Sequence, residues 1–225
     1  MASNSVVENF TVVVTENQVK GRGQQGSVWE SEVGKNLIFS VFVTFESLSV
    51  SDKKYLNYAV SLAVFEVLQK ENIPRIAIKW PNDILSAKKK IGGILIENSL
   101  KGAKISSSVI GIGLNVNQTS FSSSLENASS LTLSSNRTFD LEQLLIEIVT
   151  SLKSKISLLN AKAFESIETS YLNVLYKKNI PTMFKDSYDV LFMGIIRGVS
   201  KDGKLQVELE DETFKEFGIK EISFL

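Results

Sequence analysis

The sequence predicts an α/β protein, with a mixed sheet backed by helices in its larger part and a small all-β unit at its C-terminal end. In the larger part, apolar β-branched segments and a long segment with apolar residues at helical spacing follow each other along the chain. After Pro181, short strand-like segments separated by Gly or Asp-Gly turns take over. We therefore expect a boundary near residues 178–181, which divides the chain into residues 1–179 and 180–225.

The strands are predicted from β-branched and apolar composition between turn residues. Residues 10–16 are rich in valine and threonine, and residues 17–28, with three glycines, are expected to form a loop. Residues 36–45 are apolar on both faces, which is typical of a strand inside a sheet. Further strands are predicted at 75–80, 91–97 and 106–116, and beyond the boundary at 188–199, 204–210, 213–217 and 219–224.

Three helices are predicted. Ser49 or Ser51 can cap the first, and the Asn-Ile-Pro run at 72–74 ends it. After a serine-rich loop at 119–135, Asp140, with Gln143 at the capping-box position, starts a second helix that extends to about Leu159; a third covers about 161–176. The apolar stripe of the first helix consists of Leu56, Ala59, Val60, Ala63, Val64, Val67 and Leu68.

The composition excludes several classes of enzyme. The 225 residues include no cysteine and no histidine, which rules out disulfides, thiolate nucleophiles, Ser-His-Asp catalysis and the usual zinc ligands. The formal net charge is zero, so no overall field draws the protein to nucleic acid or to an anionic membrane. The sequence shows no signal peptide and no apolar run of about 18 residues, so a cytoplasmic protein is expected.

The first candidate site is the glycine-rich run Gly21-Arg22-Gly23-Gln24-Gln25-Gly26, which is followed by Trp29. Its glycines allow the backbone to approach an anion closely, and Arg22 adds a cation with bidentate geometry for a phosphate or a carbonyl. Taken alone, the run fits a flexible hairpin loop with an incidental arginine equally well.

The second candidate site is Lys79-Trp80-Pro81-Asn82-Asp83, followed by the segment 88–93 with three lysines and two glycines. Residues 75–104 contain seven cationic and two acidic side chains, a local net charge of +5 that indicates an anion site. Lys88 and Lys89 are better explained as part of a solvated loop. Lys90 differs because it enters an apolar strand, where its ammonium group needs a partner.

The third candidate site is the strand Gly111-Ile112-Gly113-Leu114-Asn115-Val116-Asn117. It could be an ordinary strand with glycine bulges. Asn115, however, places a paired donor and acceptor in an apolar strand, and such a pair is suited to the edge of an adenine.

Together, the three sites closely resemble the biotin–protein ligase family, the biotin–[acetyl-CoA-carboxylase] ligases, in the form without a DNA-binding domain. The resemblance covers about residues 10–225, and the lipoate ligases share the fold but lack this combination of motifs. Four motifs stand in the family's order: the glycine-arginine loop with its tryptophan at 21–29, Lys-Trp-Pro-Asn-Asp at 79–83, Lys-x-Gly-Gly at 90–93 and Gly-x-Gly-x-Asn at 111–115.

This resemblance implies a class II synthetase-like biotin ligase catalytic domain and a C-terminal SH3-like β-barrel. It implies that ATP and Mg²⁺ convert biotin to biotinyl-5'-AMP, and that the biotinyl group is transferred to one lysine of a biotin carboxyl carrier domain. No nucleic acid or membrane partner is expected. The oligomeric state stays open between a monomer and a homodimer.

The resemblance also implies roles for residues at matched positions. Lys90 would bridge the biotin carboxylate and the α-phosphate, and Asp83 would orient or deprotonate the acceptor lysine. No protein side chain is assigned to a metal, and Mg²⁺ would arrive with ATP. The implied catalytic residues are Lys90, Asp83 and Arg22; the implied biotin contacts are Gln18, Arg22, Gly23, Gln24, Lys90 and Gly93; the implied ATP and adenylate contacts are Trp29, Lys79, Asn82 and Asn115.

The sequence departs from the family pattern in two places. Gln24 and Gln25 stand where many relatives have arginine, so a weaker hold on the adenylate is expected. The family's serine-threonine-asparagine motif, which binds the ureido ring of biotin, is not matched, since Ser3 and Asn4 lie too near the first strand. Either the chain is shortened or the biotin pocket is incomplete.

Two alternative functions follow from these departures. One is a lipoate ligase-like acyltransferase, and the other is an N-terminally truncated nucleotide-binding protein with impaired biotin binding.

Overall fold

In the computed structural model, which describes residues 7–225, the larger part is a six-stranded sheet with helices packed against one face. Its predicted strands are present, and a four-residue strand that the sequence did not predict follows Asn82. A separate two-residue ribbon forms within the glycine-arginine loop. The strands are β1 (Val12–Thr15), β2 (Gly21–Arg22), β3 (Val28–Trp29), β4 (Leu37–Thr44), β5 (Ile76–Lys79), β6 (Asp83–Ser86), β7 (Lys89–Lys101) and β8 (Lys104–Leu114).

The order of strands in the sheet is β1-β4-β8-β7-β6-β5. A mixed sheet was predicted; neighbouring strands pair antiparallel in every ladder of this sheet, and parallel pairing occurs at isolated bridges such as Ile78 to Leu175. Antiparallel neighbours result because short hairpins join β5 through β8. Strands β4 and β5 run in the same direction, but three strands lie between them, so the connection must cross the sheet.

That crossing is made by α1, one of four α-helices within residues 7–225, and this arrangement confirms the predicted sheet backed by helices. All seven residues of the predicted apolar stripe of α1 are buried. The Asp140 carboxylate accepts hydrogen bonds from the backbone N–H groups of Glu142 and Gln143 at 2.8 and 3.0 Å, so it caps α3 as predicted. No helix within residues 7–225 is long and apolar enough to cross a membrane. The helices are α1 (Lys53–Lys70), α2 (Leu131–Ser135), α3 (Leu141–Asn160) and α4 (Phe164–Asn173).

The C-terminal part is a five-stranded antiparallel sheet in the order β12-β11-β10-β9-β13. This sheet is consistent with an SH3-like unit, although no ladder between the two edge strands closes a barrel within the described residues. Side-chain hydrogen bonds are among the contacts that hold it against the larger part. Trp80 Nε1 donates to the Gly203 carbonyl at 3.1 Å, and Lys220 Nζ donates to the Gln25 carbonyl at 2.7 Å. The strands are β9 (Pro181–Asp186), β10 (Leu191–Val199), β11 (Leu205–Leu209), β12 (Phe214–Phe217) and β13 (Ile222–Phe224). The division of the chain into domains at residues 179 and 180 stays a prediction.

Candidate functional site

The floor of the candidate site is bare sheet backbone. Gly113 on β8 lies opposite both Gly93 on β7 and Ile38 on β4, and residues directly opposite each other in a ladder point to the same face. Two residues further along, Gly111 lies between Leu95 and Ser40. Because three of these positions are glycine, a ligand can lie directly against peptide groups.

A cavity of about 370 Å³ opens above this floor. It contains most of the residues that the sequence singled out and two residues of the C-terminal part. The sequence did not identify Ser40, Glu97, Ile219 or Lys220. Among the lining residues are Gln18, Arg22, Gly23, Gln24 and Trp29 of the glycine-arginine loop, Pro81, Asn82, Asp83, Lys90, Gly93, Leu95 and Glu97 of the β5–β7 region, Ser40, Val109, Gly111 and Gly113 of the central strands, and Ile219 and Lys220.

Lys90 and Asp83 form an ion pair in this cavity, with 2.6 Å between Nζ and Oδ1. A shift in register between β6 and β7 explains how they meet. Gly92 pairs with Ile84 and Lys90 pairs with Leu85, so Ile91 is an extra residue in β7. Without this bulge, Lys90 and Gly93 would point to opposite faces, because their sequence positions differ by an odd number. With it, the Lys90 ammonium lies beside Gly93.

The glycine-arginine loop folds over the cavity with little space around two of its three glycines, Gly21 and Gly23. A Cβ atom on Gly21 would collide with the Trp29 carbonyl, and one on Gly23 would collide with the Ser27 hydroxyl. Gln25 has a left-handed backbone, with φ of 51°, although it is not glycine. The loop therefore requires glycine at two positions for close packing, and the sequence had suggested only anion contact or flexibility for them.

Two ion or hydrogen-bond contacts connect this loop to the rest of the molecule. Arg22 Nη2 lies 3.2 Å from Glu97 Oε2 on β7. Lys220, on the turn before β13, donates to the Gln25 carbonyl. Gln18 and Gln24 also line the cavity, and the assignment of these two residues to biotin stays a prediction.

The indole of Trp29 covers the glycine floor. A Cβ atom on Gly113 would lie 2.6 Å from Cε2 of Trp29, and one on Gly93 would lie 3.2 Å from its Cζ3. Lys90 Nζ is 5.7 Å from the centre of the ring. The indole Nε1 is buried without a hydrogen-bond partner among the described residues. A buried donor of this kind costs free energy unless a ligand accepts from it.

Asn115 is buried at the end of β8 and does not line the cavity. Its Nδ2 donates to the Ser129 carbonyl at 3.0 Å, while its Oδ1 has no partner among the described residues. The expected acceptor for an adenine is therefore present, but the amide donor is already used within the protein.

Asn82 and Lys79 were also expected to contact the nucleotide. Asn82 lines the cavity, and its Nδ2 donates to the Ile94 carbonyl at 2.7 Å, so it also holds β7 in place. Lys79 lies outside the cavity, with its Nζ 4.7 Å from the centre of the Phe224 ring on β13. Burial lowers the pKa of the Lys79 ammonium, and the nearby Asp83 carboxylate opposes this effect.

Ser3 and Asn4, considered for the unmatched serine-threonine-asparagine motif, lie outside the described residues. Within residues 7–225, no three acidic side chains come together as a metal site.

Comparison with known proteins gives a consistent result. The family model of the "Biotin/lipoate A/B protein ligase family" matches residues 3–115. The bifunctional ligase/repressor BirA of Bacillus spizizenii is 29% identical over 226 residues, covering 99% of this chain and 66% of that protein. The chloroplastic biotin–protein ligase 1 of Arabidopsis thaliana is 42% identical over 112 residues, covering 47% of this chain and 29% of that protein. The chain thus spans less than two thirds of the length of these curated relatives.

Among solved structures, the biotin protein ligase of Aquifex aeolicus in complex with biotin and ATP superposes with a TM-score of 0.79. It is 25% identical, and the match covers 99% of this chain and 91% of that one. The matched family model includes the glycine-arginine loop, Asp83, Lys90 and the glycine floor. This chain belongs to the biotin/lipoate A/B protein ligase family.

Proposed function

We propose that the protein is an ATP-dependent biotin–protein ligase. It would join biotin to AMP and then transfer the biotinyl group to one lysine of a biotin carboxyl carrier domain. The observation that carries this proposal is the Lys90–Asp83 ion pair beside the glycine floor, which places a cation and a carboxylate where a ligand can lie on backbone. Both chemical steps use these two groups and need no histidine.

In the first step, a carboxylate oxygen of biotin attacks the α-phosphorus of ATP. The bond from that phosphorus to the pyrophosphate oxygen breaks, and pyrophosphate leaves with the electron pair. Lys90 would turn from Asp83 toward the two anionic groups and reduce their mutual repulsion. A reaction of this kind depends on positioning and charge neutralisation more than on proton transfer.

In the second step, the neutral amine of the acceptor lysine attacks the acyl carbon of biotinyl-5'-AMP. An amide bond forms, the bond from the acyl carbon to the phosphate oxygen breaks, and AMP leaves. The amine must lose a proton, and Asp83, the cavity carboxylate paired with Lys90, would orient it and accept that proton. Gln18, Arg22, Gly23, Gln24 and Gly93 would contact biotin.

Two buried polar atoms support an adenine site near Trp29. The Trp29 Nε1 donor and the Asn115 Oδ1 acceptor both lack partners within residues 7–225, and an adenine edge offers an acceptor and a donor. Mg²⁺ would accompany the triphosphate and offset its charge. Asn82 stands at the cavity wall, whereas a phosphate contact from Lys79 requires its ammonium to leave the Phe224 ring.

The test is a transfer assay with a purified apo carrier domain, ATP and Mg²⁺, followed by intact mass spectrometry. The carrier domain should gain one biotinyl group with biotin, and no group when ATP is omitted. Modification of the carrier domain with lipoate, and not with biotin, would assign the protein to the lipoate ligases. Absence of modification with either acid, while ATP still binds, would support the nucleotide-binding alternative and overturn the proposal.

A further inference from the structure

We propose that Glu97 and Arg22 together bind the ureido group of biotin, and that Glu97 contributes to specificity for biotin. The Glu97 carboxylate accepts a ureido N–H, and the Arg22 guanidinium donates to the ureido carbonyl. This inference rests on the proposed function for the identity of the ligand. It assigns a role to a residue that the sequence motifs do not contain.

The position of Glu97 on the floor is the first support. Residues 93, 95 and 97 of β7 point to the same face of the sheet, because side chains alternate along a strand. Glu97 lies opposite Val109 on β8. Glu97 is therefore about 13 Å along the strand from Gly93, since each residue advances roughly 3.3 Å. Lys90 and Asp83 occupy the Gly93 end. A ligand whose carboxylate reacts at that end extends its other end toward Glu97.

The second support is the chemistry of the Arg22–Glu97 pair. A cyclic urea presents its carbonyl oxygen and an adjacent N–H on the same side, so it needs a donor and an acceptor next to each other. Arg22 Nη2 and Glu97 Oε2 lie 3.2 Å apart and both line the cavity. The guanidinium has five N–H donors, so it can keep Glu97 and still donate to the carbonyl.

The third support is that both side chains remain open to a ligand. Their exposed fractions are 74% for Arg22 and 51% for Glu97, so neither side chain is enclosed by packed neighbours. Within residues 7–225, neither side chain forms an ion pair with any other residue. Gln18 on the same loop offers an amide for the remaining ureido N–H. Lipoic acid has no urea, so the pair would favour biotin over it.

The first measurement is biotin affinity by calorimetry for the wild type, Glu97→Gln and Glu97→Ala. Glu97→Ala should weaken biotin binding about 10-fold, at the lower end for a charged hydrogen bond because the pair is exposed. Glu97→Gln keeps an acceptor and should lose less, about twofold to fivefold. ATP affinity should not change in either variant. Glu210→Ala, an exposed glutamate in the turn between β11 and β12, is the matched control and should bind biotin like the wild type.

A second measurement separates a direct contact from mere support of Arg22. Biotin methylated on either ureido nitrogen lacks one N–H. For one of the two isomers, methylation should weaken binding to the wild type markedly and weaken binding to Glu97→Ala much less. If methylation costs the same in both proteins for both isomers, Glu97 does not contact the ureido group, and the proposal is overturned.

The outcomes also separate this proposal from the proposed function. If the wild type binds biotin and Glu97→Ala binds it equally well, only the role of Glu97 falls. If the wild type binds ATP but does not bind biotin, the proposed function falls and this inference falls with it.

Discussion

The indole of Trp29 lies directly on Gly113, where strand β8 presents its backbone to the cavity. A Cβ atom at Gly113 would come within 2.6 Å of Cε2, 2.8 Å of Cζ2 and 3.0 Å of Nε1 of the indole. The fit between these two residues determines how much room exists above the floor. It also connects the glycine-arginine loop to the central strand.

Gly113→Ala should displace the indole and weaken ATP binding. Overpacking of this kind costs about 1–3 kcal/mol, which corresponds to roughly a 5- to 150-fold loss of ATP affinity if the whole cost falls on the ligand-binding position of Trp29. Gly198→Ala on β10 is the control, because this glycine lies outside the cavity and its Cβ atom would approach no atom closer than 3.5 Å. Calorimetry with ATP measures both variants. Equal ATP affinity in Gly113→Ala and the wild type would contradict the role given to Trp29.

Lys90→Ala and Asp83→Asn should separate the two chemical steps. Lys90→Ala removes a charged contact in adenylate formation, which is worth roughly 1.5–3 kcal/mol or about 10- to 150-fold in rate. Asp83→Asn should slow transfer from preformed biotinyl-5'-AMP more than it slows formation of the adenylate. Single-turnover rates for each step, with Lys88→Ala as a solvent-exposed control, provide the measurement. Wild-type rates for both steps in both variants would rule out this assignment.

Lys220→Met should loosen the glycine-arginine loop from the C-terminal sheet. The substitution keeps the length of the side chain but removes the hydrogen bond from Nζ to the Gln25 carbonyl. A hydrogen bond of this kind is worth about 0.5–1.5 kcal/mol, so amides at 21–28 should exchange about 2- to 10-fold faster in the ligand-free protein. Lys201→Met, at another exposed lysine of the C-terminal part, should leave the loop unchanged. Unaltered exchange in Lys220→Met would show that the contact does not restrain the loop.

Tyr58→Phe should stabilise the protein, whereas Tyr55→Phe should not. The Tyr58 hydroxyl is buried without a partner among the described residues, and burial raises the pKa of this group. Tyr58→Phe removes this buried polar group, which should raise the free energy of unfolding by about 1 kcal/mol. The Tyr55 hydroxyl, in contrast, donates to Glu168 Oε2 at 3.3 Å. Urea denaturation at pH 7 measures both variants, and a loss of stability in Tyr58→Phe would contradict the prediction.

The same substitution has a pH dependence with a definite sign. Since the pKa of Tyr58 is raised in the folded protein, the unfolded chain loses this proton first. Folding is therefore disfavoured by up to about 1.4 kcal/mol per pH unit above pH ~10, the ordinary value for tyrosine. Tyr58→Phe lacks this loss, so its advantage over the wild type should widen above pH 10. A constant difference between pH 8 and pH 11 would show that the hydroxyl does not titrate this way.

The parts of the fold with a long periodic pattern could be predicted from the sequence. The stripe from Leu56 to Leu68 predicted α1 because burial of one helical face requires that spacing. Strand β6 could not be predicted in the same way, since it is four residues long and follows the turn signal of Pro81. Helix α2 could not be predicted either, because it is only five residues long and lies in a serine-rich segment that favours a loop.

The candidate site could be predicted as a set of residues but not as an arrangement. The motif containing Lys79 indicated a nucleotide contact, yet the side chain points to Phe224, because β13 packs against that end of the sheet. Glu97 and Lys220 carried no local signal. They reach the glycine-arginine loop across 75 and 195 residues of sequence, and only the strand register and the packing of the C-terminal sheet bring them there.

The register shift in β7 makes strand pairing, and not only residue type, a condition of the Lys90–Asp83 ion pair. The direction of the Lys90 side chain depends on the bulge at Ile91, which is fully buried, with its carbonyl accepting from the Asn115 N–H at 2.8 Å. If Ile91 were instead paired regularly in the ladder, the ammonium would turn away from Gly93, although every motif residue would survive. The ion pair can therefore be lost through a change in strand register alone, with Lys90 and Asp83 both still in the sequence.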